Sequence, residues 1–431
     1  MLKPRSLIAA LVVSFTVVAC LADDEFIAGA DMSHLAYFES IGITYRENGT
    51  PRDAFEILKD HGLNCVRLRL FTSSPAQAAA NPYNYINNTN YTIPLAIRAK
   101  NAGLKFMLDF HYSDTWADPG KQSLPLAWTN MTTAQLRTQI QQYSSNCIAA
   151  FKSAGAMPEY VQVGNEITQG MLWTNGFVSG NNNASWANLG NLLKSAIAGI
   201  KGAAGDTPPK IILHIDRGGD WNTTRWWFDN ITTQGVPYDM IGQSYYPFWH
   251  GTLANLTHCL TNTAQRYGKP VLVMETDFPW QFSTNVVGLP ANTNGQVQFV
   301  VELAKIVKNI PNNRGAGIVW WGTEYQPVSG ANQAGFGNRS FFNGSGNVLP
   351  VAGALGQTAA PVALGASITN SNLKITWPLS GAAMSLTSSS STHASEDWLP
   401  VTNSIQNTGT VFSVTVPVAD ENARFYRLET N

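Results

Sequence analysis

The chain has 431 residues, a formal net charge of −1 and only 13% charged residues, against the roughly 25% of an average soluble protein. This balance excludes a basic field for nucleic acid and a like-charged tail, and the length suits one large domain with a small second one. Aromatic residues make up 11%, with 13 Trp. Neutral sugars stack their C–H faces on aromatic rings, so the composition suits a sugar-handling protein, although a Trp-rich core would account for it equally.

The first 22 residues read as a leader. Lys3 and Arg5 precede an apolar stretch from Leu7 to Ala19 that is too short to span a bilayer. Cleavage after Ala22 is one route. Val17-Val18-Ala19-Cys20 also resembles a bacterial lipobox, which would leave Cys20 as a lipid anchor. Either route predicts a secreted or cell-surface protein. Beyond the leader stand Cys65, Cys147 and Cys259, so at most one internal disulfide can form. Cys65 lies in an apolar run and reads as a small buried hydrophobe. Without a CxxC or Cys/His cluster, no structural zinc is expected.

From residue 23 to 355, short apolar runs alternate with helical patterns. The strand candidates are Phe26–Met32, Cys65–Phe71, Lys105–His111, Tyr160–Glu166, Lys210–Asp216, Met240–Tyr246, Pro270–Glu275 and Gly315–Trp321. Helical patterns cover Asp53–His61, Thr133–Ala154, Leu189–Gly202 and Gly295–Asn309. Eight such strands indicate an α/β fold, the (β/α)₈ TIM barrel. A doubly wound sheet is the alternative, but Gly29-Ala30-Asp31-Met32 is no phosphate-binding fingerprint. A linker is expected at 356–362. Alternating runs such as Leu373–Trp377 and Val411–Val416 then predict a small all-β, sandwich-like module at 363–431, with Ser388–Ser391 in a turn.

Barrel chemistry sits at the C-terminal strand ends. Those ends carry Asp31, Arg67, Arg69, Asp109, His111, Asn165, Glu166, His214, Asp216, Tyr245, Tyr246, Glu275, Trp320 and Trp321. Two stand out. Apolar runs lead to Glu166 and to Glu275 and stop there, far apart in the chain. Hydrolysis of a glycosidic bond needs two converging carboxyl groups, one to protonate the leaving oxygen and one to attack the anomeric carbon.

Several stretches carry a family resemblance: Gly29-Ala30-Asp31-Met32-Ser33, the run from Asp109 to Gln122, Gly164-Asn165-Glu166, Ser244-Tyr245-Tyr246-Pro247-Phe248-Trp249, Glu275-Thr276-Asp277-Phe278-Pro279-Trp280 and Gly346-Asn347-Val348-Leu349-Pro350. In family order and across nearly the whole barrel, they resemble the glycoside hydrolase family 53 endo-β-1,4-galactanases. The resemblance implies retaining hydrolysis of the β-1,4-galactan side chains of pectin (type I arabinogalactan). Glu166 would be the acid/base, Glu275 the nucleophile and Asn165 the partner of the sugar 2-hydroxyl. Arg67, preferred to Arg69, would keep Glu275 charged, and the Tyr246 phenol would bond it. Trp321 would stack on the sugar before the cleavage point, His111 and Asp114 would contact hydroxyls, and Trp116 and Trp249 are candidates for further subsites.

Two departures from the family pattern stand near the site. Asp277 occupies a position where the family has a small or aromatic residue. The strand-8 Glu is missing from Trp320-Trp321-Gly322-Thr323, and Glu324 is the nearest substitute. Some bacterial members hold calcium in the loop after strand 7. No Asp/Asn cluster between Phe282 and Gln296 supports it here, and no cofactor is required. The expected partner is a polysaccharide, with a monomer as the default state. The competing readings are a β-mannanase or cellulase on the same barrel, and a sugar-binding protein without catalysis.

Overall fold

The structure, a computed structural model, describes residues 25–369, 372–390, 398–417 and 424–430. The leader and Cys20 lie outside the described residues. All eight strand candidates form strands: β1 (Ile27–Asp31), β2 (Cys65–Leu70), β3 (Lys105–Phe110), β4 (Tyr160–Val163), β5 (Lys210–Ile215), β6 (Met240–Ser244), β7 (Val271–Thr276) and β8 (Gly315–Trp320). They pair in parallel in chain order, and β8 closes on β1. The principal helices that follow them are α1 (Ala54–Asp60), α2 (Thr89–Asn101), α3 (Thr133–Ser153), α4 (Asn183–Ala204), α5 (Trp221–Thr233), α6 (Leu253–Tyr267), α7 (Thr293–Lys308) and α8 (Val351–Gln357). Side-chain caps mark several starts. Asp53 accepts from the Phe55 nitrogen at α1, and Thr132 with Gln135 forms a capping box at α3. Four of the helices, α2, α5, α6 and α8, have no counterpart among the expected patterns; α2 contains Pro94, which masks its periodicity.

The barrel interior is layered because alternate side chains of each strand point inward. At the N-terminal end, Ile27, Cys65, Met107, Tyr160, Ile212, Met240, Leu272, Met274 and Val319 form an apolar plug. Two residues further along their strands, Arg67, Asp109, Gln162 and His214 are all buried. The plug lies beneath this polar layer, on the side away from the C-terminal mouth. Cys65 belongs to the plug, and all three described cysteines are buried free thiols.

Two local devices deliver the glutamates to that mouth. Leu272 and Met274 both lie in the plug, so strict alternation would turn Glu275 outward. A register shift between Gln243 and Ser244 in the β6–β7 pairing, with another between Val273 and Thr276 in β7–β8, sets Glu275 opposite Ser244 and turns it inward. Glu166 lies beyond the end of β4, which stops at Val163. There Gly164 and Glu166 adopt φ of +88° and +48°. Left-handed backbone at a non-glycine residue costs about 1–3 kcal/mol and is found where surrounding contacts fix a functional side chain.

After β8, α8 runs to Gln357, into the segment read as a linker. The C-terminal module has two antiparallel sheets. One is four-stranded, from Gly365–Thr369, Asn372–Pro378, Val411–Pro417 and Gln406–Asn407; the other is three-stranded, from Leu399–Pro400, Met384–Ser389 and Phe425–Thr430. Ser388 and Ser389, expected in a turn, belong to a strand and pair with Tyr426 and Phe425. The module is docked: its turn Leu379–Gly381 packs on α7 and α8. No helix of the described residues is long and apolar enough to cross a membrane.

Barrel closure depends on a close approach at Gly317. Its φ is +148°, and a Cβ there would lie 2.3 Å from the Ile27 carbonyl oxygen. Gly317→Ala is therefore expected to destabilise the fold by about 2–4 kcal/mol, read from the midpoint and slope of urea unfolding. An unchanged midpoint would mean that β1 and β8 separate more easily than this contact implies.

Candidate active site

A cleft of about 330 Å³ opens at the C-terminal mouth, and Glu166, Glu275, Asn165, Tyr246 and Trp321 all line it. Both glutamates are nearly buried, at 8% and 5% exposure. Their partners are of opposite character. Glu275 Oε1 lies 2.8 Å from Arg67 Nη1, and its Oε2 accepts from the Tyr246 hydroxyl at 2.8 Å. Among the described residues no cation contacts Glu166; its Oε1 accepts from the Ser244 hydroxyl at 2.5 Å.

Ser244 is itself held by a relay. Gln162 Nε2 donates to His214 Nδ1 at 3.0 Å, which leaves the proton of the neutral imidazole on Nε2, 2.8 Å from Ser244 Oγ. Burial, together with the Arg67 charge, holds His214 well below the ordinary histidine pKa and keeps it neutral.

These surroundings separate the two carboxyl groups. Burial raises the proton affinity of both. For Glu166 the negative charges of Glu275 and Asp216 add to the rise, which carries it well above the usual carboxylate range. For Glu275, burial is opposed by Arg67 and by the Tyr246 phenol, so its rise is the smaller. Glu275 therefore ionises first, and Glu166 keeps its proton.

Arg67 is the hub beneath them. It pairs with Glu275 as expected from the sequence, but it is fully buried and does not line the cleft, so it serves the nucleophile position and offers no atom to a substrate. Besides Glu275 it pairs with Asp31 at 2.9 Å and Asp109 at 2.8 Å, and it donates to Asn165 Oδ1 at 2.9 Å. Arg69 reaches the cleft instead, with its guanidinium carbon 4.2 Å from the Trp116 ring centre and 5.7 Å from that of Trp321. Asn165 is fixed by Arg67 and Gln162 at its oxygen and gives one amide proton to the Ala117 carbonyl, which leaves its second donor unassigned.

Three expectations change with the structure. His111 lines the cleft, but both ring nitrogens are committed: Nε2 lies 3.0 Å from Asp109 Oδ2, and Nδ1 accepts from the Ala117 nitrogen. It holds Asp109 and a loop in place and has no ring nitrogen left for a sugar. Asp114 is not part of the cleft. Its oxygens accept from Thr72, Gln77 and the Leu126 nitrogen, so it clamps loops. Glu324 is fully buried away from the cleft and accepts from the His34 nitrogen; burial beside Asp31 pushes its carboxyl up to about 8. It does not supply the missing subsite contact.

The Trp-rich composition divides between two roles. Trp186, Trp227 and Trp320 are fully buried, whereas Trp116, Trp249 and Trp321 line the cleft. Tyr83 and Phe336 also line it and went unnoticed in the sequence, because Tyr83 sits in the four-residue helix Pro82–Tyr85 and Phe336 in a loop, both too short or irregular to give a periodic signal. In the loop after β7, Asn292 is committed to capping α7, and among the described residues no group of three or more His, Cys, Asp or Glu is placed to hold a metal ion.

The model of a family described as Glycosyl hydrolase family 53 matches residues 27–355, the whole barrel. The chain belongs to that family. This family 53 glycoside hydrolase is 36% identical over 307 residues to an arabinogalactan endo-beta-1,4-galactanase of Humicola insolens, an alignment covering 68% of this chain and 88% of the relative. Among solved structures it is similar to one described under two fungal beta-1,4-galactanases (TM-score 0.69, 32% identity, 76% of this chain and 98% of that one). It is also similar to the GH53 catalytic domain of Ignisphaera aggregans (TM-score 0.70, 30% identity, 80% and 99%). The C-terminal module lies beyond the matched residues.

The hub makes a direct prediction for this family 53 hydrolase. Arg67→Met leaves Asp31, Asp109 and Glu275 without their central cation, and breaking one buried ion pair typically costs about 3–5 kcal/mol. Urea unfolding should show at least that loss. A variant as stable as the parent would mean that the three carboxylates are neutralised in some other way.

Proposed function

We propose that this chain is an exported endo-β-1,4-galactanase that cuts the galactan side chains of pectin with retention of configuration. One observation carries the reading: on a family 53 barrel, two glutamates share one cleft in opposite electrostatic surroundings. Glu275, ionised and held by Arg67 and Tyr246, attacks the anomeric carbon. Glu166 gives its proton to the departing glycosidic oxygen. A bond then joins Glu275 to the sugar, and the leaving chain carries the proton. Glu166, now a carboxylate, takes a proton from water, and that water releases the sugar and restores both groups. Galactan as substrate is supported by the named relatives, and export by the leader from Lys3 to Ala22, with Cys20 available for lipid attachment.

Activity requires Glu275 ionised and Glu166 protonated. It should therefore rise as pH passes the first pKa and fall as pH passes the second. Burial raises both, so each limb of kcat/KM should lie above the roughly 4.3 of a free glutamate. Glu166→Gln should abolish the alkaline limb and reduce turnover of galactan by about 10²–10⁴-fold. Glu275→Ala should lower it at least as far, with the fold intact by circular dichroism. An alkaline limb that persists in Glu166→Gln would assign the acid elsewhere.

Incubation with linear galactan, mannan and cellulose decides the substrate. Oligosaccharides are expected from galactan, initially in the β-anomeric form by proton NMR. Products from mannan or cellulose alone would identify a different endo-glycanase, and an initial α-anomer would indicate inversion. A sugar-binding protein without catalysis would release nothing from any of the three.

A further inference from the structure

A second buried ion pair stands beside the nucleophile and has no part in the reaction above. Asp277, two residues after Glu275, is fully buried. Arg339 Nη1 lies 3.3 Å and 3.5 Å from its two carboxylate oxygens. The Arg339 side chain is only 16% exposed, and its guanidinium is surrounded by rings. The guanidinium carbon lies 4.3 Å from the centre of Phe248, 4.9 Å from Phe336 and 5.6 Å from Trp249.

Those rings come from two different loops. Phe248 and Trp249 follow β6, whereas Phe336 follows β8. Trp249 and Phe336 line the cleft, and Arg339 itself does not. The backbone of Arg339 is anchored, because its carbonyl accepts from Trp320 Nε1 at 3.0 Å and from Gln296 Nε2 at 3.3 Å. A planar cation suits this place: its faces stack on rings while its edge meets a carboxylate. An apolar residue would fill the gap but would leave Asp277 buried without a cation.

We infer that Arg339, held by Asp277, is a positioning residue that bridges the loops after β6 and β8 and fixes Trp249 and Phe336 as facing walls of a sugar-binding subsite beside the catalytic centre. The inference rests on the reading of the cleft as a galactan site. Arg339 acts on the sugar only through the two rings. Its loss should therefore weaken binding of the chain and leave the chemical step nearly intact. The Asp277 carboxyl is pushed up to about 6 by burial, opposed by Arg339, so losing the cation should also affect stability. The two effects can be separated.

The test uses the full chain and three variants, each measured for thermal midpoint, kcat and KM. The substrate is linear galactan, or whichever glycan of the panel above the parent hydrolyses. Arg339→Met should lower the midpoint and raise KM by about 3–10-fold, with kcat within about twofold, as expected for a lost cation–π contact. Adding Asp277→Asn removes the orphaned carboxylate; the double variant should regain the midpoint but keep the raised KM. Arg339→Lys keeps a cation beside Asp277 without the planar face, and should raise KM at a nearly unchanged midpoint. Recovery of KM together with the midpoint in the double variant, or a normal KM in Arg339→Lys, would reduce the pair to a purely structural role and overturn the inference. A fall in kcat as large as the fall in kcat/KM would overturn it too. A parent that cuts mannan instead of galactan would refute the substrate reading and leave this comparison intact.

Discussion

The site is organised around one buried guanidinium. Arg67 contacts carboxylates from β1, β3 and β7 and an amide from the end of β4, so a single side chain ties four strand ends into one geometry. Such clusters are costly, because burying charge removes it from water, and the attraction between partners only offsets that cost when the geometry is good. The cluster lies above the apolar plug and below the open cleft, where burial strengthens electrostatic contacts and water does not screen them. What it provides is position and order of ionisation: Arg67 offsets part of the rise that burial imposes on Glu275, so Glu275 gives up its proton before Glu166.

The neighbouring glutamate occupies the complementary environment. Among the described residues no cation touches Glu166, and after burial the charges that act on it most are the negative ones of Glu275 and Asp216, which outweigh Arg67. Two chemically identical side chains thus acquire different protonation states from their surroundings, the condition for an acid and a nucleophile to coexist near neutral pH. The relay from Gln162 through His214 to Ser244 fixes the direction of the Glu166 hydrogen bond, and it uses inward positions of β4, β5 and β6 that would be apolar in an ordinary barrel layer.

Loops, not strands, shape the rest of the cleft. Trp116, Trp249 and Phe336 come from three separate loops, each braced by an arginine: Arg69 beneath Trp116, and Arg339 against Trp249 and Phe336. Stacking on aromatic faces gives a sugar chain shape selectivity with few directional bonds. The barrel supplies the chemistry and the loops select what is cut.

The eight strands, their order and the two glutamates at strand ends were legible from the sequence alone, because the two-residue period and the break from apolar to polar are local properties. The Tyr246 phenol was legible by the same alternation, since it shares a face with Ser244. Which polar groups remain free for a ligand was not legible. His111 and Asp114 stand where sugar contacts were expected, yet the His111 ring nitrogens are committed nearby, to Asp109 and Ala117, and Asp114 is committed to Thr72, Gln77 and Leu126. The inward turn of Glu275 also depends on a register shift between neighbouring strands, which strict alternation along β7 contradicts. Local pattern determined where the strands run and where they stop. Only tertiary contact decided which side chains face the cleft with an atom to spare, because hydrogen bonds and ion pairs are made across the barrel, between residues whose proximity no single segment encodes.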